Sequence, residues 1–170
     1  MRSTRPWPRG DSAVADTEDS TQDAEPRWAL VAHTADRPGA VTAITGVFSS
    51  RGVNFESLVG SALTPSQTTV IGLYRTSERR SAQLVRSVGR LEVVDTVSAR
   101  PADDPSVRAV GIMEVPDGTL VPSPATSATW TGDGTPDSPL LVKGSLRAVE
   151  KIADQAHRAQ GTAVVVVLAL

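Results

Sequence analysis

Residues 34–41 read TADRPGAV. They interrupt the apolar run WALVAH at 28–33 and hand over to a second apolar pattern that begins at Val41. WALVAH has strand length, whereas Val41, Ile44, Val47 and Phe48 recur at helical spacing, so the eight residues are a strand-to-helix junction. Within it Asp36 is suited to N-cap the helix and Pro38 to open it, because proline has no N–H to leave unpaired. Gly39 removes a side chain where the chain comes close to something. The same atoms have a second use. The first amides of a helix point outward and its dipole favours negative charge there, so a small anion such as an amino-acid carboxylate fits against Gly39, Ala40 and Val41.

Downstream of the junction the helix stops at Arg51-Gly52. VNFESLVGSAL at 53–63 and TTVIGLYR at 68–75 are strand candidates separated by the turn TPSQ. Ala82, Leu84, Val85 and Val88 mark a second helix over 78–90, and LEVVDTVSA at 91–99 is a fourth strand. The order β-α-β-β-α-β needs two crossovers and one hairpin. Right-handed crossovers then predict a four-stranded antiparallel sheet of order 4-1-3-2 with both helices on one face. The second strand falls at an edge, where its unpaired backbone groups call for a cover such as the same edge of another copy.

Three further segments flank this unit. Residues 1–26 are polar, with arginines near the start and then an acidic, Ser/Thr-rich stretch, which predicts a disordered tail. SVRAVGIMEV at 106–115 is a strand, and the Pro/Gly-rich residues 116–139 predict a long loop. Over 140–170 a strand, a helix carrying Leu146, Val149, Ile152, Ala153 and Ala156, and a last strand follow. Two readings fit the region 105–170: a degenerate second copy of the first unit that has lost its first helix, or a plain α+β extension packed on it.

Composition narrows the function. The chain has 170 residues, no cysteine and a formal charge of -2. There is thus no thiolate metal site, no thiol nucleophile and no basic footprint for nucleic acid. RNA-recognition modules share the element order but need aromatic stacking residues on central strands, and here only Tyr74 and Trp28 are offered. Two histidines are too few for a histidine metal cluster. His33 is expected to be a hydrogen-bonded structural residue and His157 a cation at a helix end. Ser57 lacks the G-x-S-x-G elbow of a nucleophile. GDGTPD around Asp133 has a turn's composition rather than a calcium loop's, and the arginines at 75–90 read as a solvated face. The longest apolar run, AVVVVLAL at 163–170, is too short to span a bilayer, and a cytoplasmic protein is expected.

Two motifs, taken with the element order, carry a resemblance. DRPGAV at 36–41 follows the first strand, and RGVNFESL at 51–58 opens the second. Residues 27–99 resemble the ACT domain, a ligand-sensing module of amino-acid metabolism. The regulatory (small) subunit of acetolactate synthase, where NKPGVL and RGFNIESL are typical, is the nearest member. The resemblance implies a regulatory protein without an active site or cofactor, in which two ACT domains pair side by side. The pairing would be a homodimer, or intramolecular with the C-terminal region. A small amino-acid effector would lie between the loop residues Asp36, Pro38, Gly39, Ala40 and Val41 and the edge-strand residue Asn54. It further implies a partner, the catalytic subunit of a branched-chain biosynthetic enzyme, and neither nucleic acid nor membrane. The family usually has Asn at the position of Asp36. A carboxylate accepts but does not donate, so valine is not carried over as the effector. The other reading is an assembly module whose dimer is structural and whose pocket is unused.

Overall fold

The computed structural model describes residues 25–64, 66–116, 120, 122–123 and 127–169; the expected tail therefore lies outside the described residues except for its last two. In the first half, β1 (Arg27–Ala35), α1 (Ala40–Ser49), β2 (Phe55–Thr64), β3 (Gln67–Arg75), α2 (Glu78–Val88) and β4 (Val94–Pro101) follow in the expected order. Their sheet runs β2-β3-β1-β4, all antiparallel, with β2 at an edge. Strand β2 starts and the second helix ends two residues inside the expected bounds, and the start of β4 differs by three. Leu91–Val93 form a turn, and β4 starts only at Val94, whose N–H bonds the Leu91 carbonyl. Leu91 and Val93 are half-buried within that turn, which a run of β-formers does not distinguish from a strand.

In the second half, β5 (Arg108–Glu114), β6 (Ala128–Thr131), β7 (Leu140–Ser145), α3 (Leu146–Arg158) and β8 (Thr162–Ala169) build a sheet of order β6-β7-β5-β8. Position for position this repeats the first sheet, and among the described residues no helix joins β5 to β6. The region is the degenerate copy and not a plain extension. Strand β6 corrects the loop expected over 116–139: it pairs with β7 from Ala128↔Gly144 to Thr131↔Leu141. Four residues hemmed by glycine and proline are too short for their alternation to register, although Thr and Trp are good strand formers.

Each half has its own core. On the helix side of the first sheet, Leu30, Ala32, Ile44, Phe48, Val70, Tyr74, Leu84 and Val88 are buried together. Phe48 lies 4.2 Å from Phe55 and 4.9 Å, edge-on, from Tyr74, measured between ring centroids. Gly72 is required here, because a Cβ at that position would come within 2.5 Å of the Phe55 ring. The Tyr74 hydroxyl pairs with Ser81 Oγ at 2.8 Å, and burial pushes the phenol's pKa up.

The opposite face of the first sheet is also covered. Ala29, Ile71 and Leu73 belong to the same buried cluster as Ala109, Met113, Leu140, Val142, Val149, Ile152 and Val167. The second unit is short of one helix, and the first sheet fills out the core on that side. One ion pair crosses the junction, Arg27 Nη1 to Glu150 of α3 at 2.5 Å, and two within the first sheet adjoin it, Arg27 Nε to Glu56 at 2.5 Å and Arg75 Nε to Glu56 at 2.6 Å. Half-exposed pairs of this kind contribute about 0–1 kcal/mol each, so the shared apolar cluster is the stronger tie.

Candidate functional site

The junction 34–41 leaves β1 at Ala35 and enters α1 at Ala40. Asp36 is not the N-cap. That position belongs to Gly39, whose φ of +89° is left-handed, and no side chain caps the helix. The Asp36 carboxylate instead accepts the Thr68 hydroxyl at 3.1 Å, while its N–H bonds the Ser66 carbonyl at 3.0 Å. Pro38 accordingly precedes the cap and does not open the helix. A carboxylate three residues before the cap is drawn to the adjacent hairpin, a tertiary contact with no local signature.

The amides of this helix start divide into two groups. The Ala40 N–H is committed to the Arg37 carbonyl at 3.2 Å, and the Ala43 N–H to Gly39 at 2.8 Å. Those of Gly39, Val41 and Thr42 have no partner among the described residues. The unpartnered amides of this helix start are thus Gly39, Val41 and Thr42. The role of Thr42 is not legible from the motif, because it depends on which residue becomes the cap. Asp36, Arg37, Pro38, Gly39 and Val41 are exposed, and a Cβ on Gly39 would meet nothing within 4 Å. The Val41 side chain leans toward β2, with its Cγ2 3.9 Å from where a Cβ on Gly60 would stand. The helix start therefore sits beside the edge strand.

Asn54 is exposed just before β2, but it is not near this loop within one chain. The register aligns Phe55 with Tyr74 and Trp28 at one end of the sheet, and Thr64 with Gln67 and Ala35 at the other. Asn54 and the helix start beside Gly60 are separated by six residues of strand, about 20 Å at 3.3 Å per residue. The outer edge of β2 pairs with no strand of the second unit, which covers the face of the first sheet rather than its rim. The intramolecular form of the expected pairing is therefore absent. The apolar surface of Ala29, Ile71 and Leu73 draws the second unit onto the face.

The other candidate residues have structural surroundings. His33 Nδ1 lies 2.9 Å from Thr69 Oγ1. His157 is in the last turn of α3. Asp133 accepts the Thr135 N–H at 3.0 Å and its hydroxyl at 2.8 Å, bonds that hold its carboxyl below the usual carboxylate range and shape a turn. Arg51 and Arg80 tie the two helices together, Arg51 through Ser87 Oγ at 2.8 Å and Arg80 through the Arg51 carbonyl. Among the described residues no group of three or more acidic or histidine side chains could hold a metal ion, and no helix is long and apolar enough to cross a membrane. A cavity of about 550 Å³ opens at the junction of the two units, lined by Trp28, Arg75, Glu78, Arg147 and Glu150. It lies at the Arg27 end of the sheet, away from the amides of α1.

Element order, strand order and helix placement together define a tandem ACT-like fold: one complete βαββαβ unit followed by a second that lacks a helix. No protein-family model matches the chain, and no curated protein matches its sequence. Among solved structures it is similar to the small subunit of acetolactate synthase from Thermotoga maritima, at 14% identity and a TM-score of 0.55, over 84% of this chain and 97% of that one. The regulatory subunit of aspartate kinase from Thermus thermophilus, in a ligand-free form, matches at 16% identity and a TM-score of 0.47, over 79% of this chain and 92% of that one. The ACT domain from GTP pyrophosphokinase of Chlorobium tepidum matches at 20% identity and a TM-score of 0.39, over 45% of this chain and 99% of that domain. The similarity to the Thermotoga protein is one of fold, and it extends through both units.

Proposed function

We propose that this protein is a regulatory, amino-acid-sensing subunit. A small amino-acid effector binds between the α1 start of one copy and the β2 edge of a second, and the ordered pair modulates a partner enzyme of branched-chain amino-acid biosynthesis, such as acetolactate synthase. The observation that carries the reading is the placement of a helix start with unpartnered amides, through the Val41 side chain, beside Gly60 on a strand whose outer edge is unpaired among the described residues. Two β2 strands running antiparallel about a two-fold axis near Ser57 set Asn54 of one copy level with Gly60 of the other, beside the α1 start. The separation of Asn54 from the loop within one chain is thus what a shared site requires.

The effector's carboxylate is received by the amides of Gly39, Val41 and Thr42, and Asn54 from across the interface supplies a donor and an acceptor. Asp36, exposed beside the same loop, favours an ammonium group on that side and disfavours a ligand that is purely anionic. Binding stabilises the paired state by its differential affinity for it, and that difference bounds the regulation transmitted to the partner. The alternative, a structural assembly module, draws on the same edge strand and takes Asp36 as a feature that keeps anions out.

Calorimetric titration of the full chain with a panel of amino acids separates the two. A saturable heat with one site per chain for at least one small amino acid is expected. A panel that gives no saturable heat leaves only the assembly module. Co-purification from the native cell then names the enzyme, because the catalytic subunit is expected to travel with this chain.

A further inference from the structure

Three of the four sheet faces in this protein are covered: the first sheet by its helices and by the second unit, and the second sheet by α3 and the cluster shared with the first. The fourth face is bare among the described residues. Alternation along β5, β7 and β8 turns Ala109, Met113, Val142 and Val167 inward. It turns Ile112, Leu141, Val164 and Leu168 outward, exposed by 50%, 45%, 63% and 53%. Those four are all but one of the large exposed hydrophobic residues among the described residues, the fifth being Val41. They are contiguous, because Leu141, Ile112 and Val164 are cross-strand neighbours in one row and Val110 and Val166 are neighbours in the next, which the exposed Lys143 borders on β7. A clustered apolar patch of this kind on a sheet marks an interaction surface, whereas isolated exposed residues do not.

The charges at the two ends of the patch select the occupant. Along β5 the outward residues read Arg108, Val110, Ile112, Glu114: a cation, two apolar residues and an anion. Two copies can meet face to face about a two-fold axis lying between the sheets in either of two ways. With the axis along the strands, Arg108 faces Arg108. With the axis across them, β5 runs antiparallel to its copy, and Arg108 of each chain faces Glu114 of the other on both sides of the apolar rows. The β5 row is therefore self-complementary in one orientation and self-repelling in the other, which is how a surface specifies its own pairing.

We propose that the bare face of the second sheet is a homotypic interface, packed antiparallel against the same face of a second copy of this chain. This contact is separate from the β2 edge and holds whether or not an effector binds there. By strand spacing and rise the face covers roughly 20 Å by 20 Å. That is about half of the roughly 800 Å² per partner of a standard interface, so the association is concentration-dependent.

The chain has no cysteine, so Ile112→Cys introduces a sole thiol on β5 in the centre of the patch, at a position exposed enough to accept it. The rate at which a small maleimide alkylates it, followed at high and low protein concentration, reads whether a second copy covers the face. Edge-to-edge pairing of β2 leaves this position outside, so the readout is independent of the effector site. The rate is expected to fall at least about tenfold at high concentration, as a covered interface core excludes solvent. Adding Arg108→Glu is expected to abolish that protection, and Arg108→Glu with Glu114→Arg in the same chain to restore it. Arg108 and Glu114 are about 20 Å apart within one chain, so restoration reports contact between chains. An alkylation rate independent of concentration, as a tail folded over the face would also give, overturns the proposal. So does protection that survives Arg108→Glu unchanged.

Discussion

Val41→Asp is expected to weaken effector binding by at least about 100-fold, since like charges forced together in an interface cost several kcal/mol. The N–H of Val41 is one of the unpartnered amides, and its side chain stands beside Gly60 at the rim of the candidate site. A carboxylate there meets the effector's own carboxylate in the same field. The fold is expected to stand, because an acidic residue in the first turn favours the helix dipole and Val41 is already 39% exposed. Calorimetric titration reads the affinity and thermal unfolding checks the fold, with Val41→Thr, close in shape and uncharged, as the control. Affinity within about threefold of wild type, at this cost per like-charge contact, would put the anion elsewhere. Gly39→Val is a poorer probe. The left-handed backbone at Gly39 makes a β-branched residue costly with or without a ligand, and a Cβ there meets nothing.

The largest effect on stability is expected from Phe48→Ala, about 3–5 kcal/mol for an aromatic removed from a core. Phe48 is fully buried and contacts both Phe55 and Tyr74, so one ring joins α1 to β2 and β3. A total of 5–15 kcal/mol is typical of whole domains, so a loss of this size is a large share. Because Ala29, Ile71 and Leu73 lie in the core of the second unit, both units are expected to lose stability together in one transition. Denaturant unfolding followed by far-ultraviolet circular dichroism measures this, and Phe48→Leu should retain much of what alanine loses. A change below about 1 kcal/mol, the scale of an ordinary surface substitution, would mean that α1 does not close the first core.

What could be read from the sequence follows from how local each determinant is. The first unit was legible because its strands alternate or run apolar, its helices keep their period, and handedness leaves one sheet order. The repeat in the second half was legible as β-α-β, but β6 was hidden inside a proline-rich stretch. The shared core could not be read at all, since nothing in Ala29, Ile71 or Leu73 says what they pack against. At the candidate site the loop and edge strand were legible as motifs, but the identity of the N-cap was not. Gly39 takes that position and Asp36 turns to Thr68, and the free amides then lose Ala40 and gain Thr42.

A site shared between copies makes a demand that no site within one chain makes: two variants, each broken on a different half, must repair one another. Val41→Asp damages the loop half and Asn54→Ala the strand half, and each alone is expected to give no saturable heat with the effector. Mixed in equal amounts and re-equilibrated, random pairing about a two-fold leaves one intact site in each mixed dimer, about a quarter of all sites. Calorimetric titration of that mixture is therefore expected to recover about a quarter of the wild-type sites at wild-type affinity. A mixture that stays silent while native mass spectrometry shows the mixed dimers present would contradict a pocket built from the α1 start of one chain and the β2 edge of another.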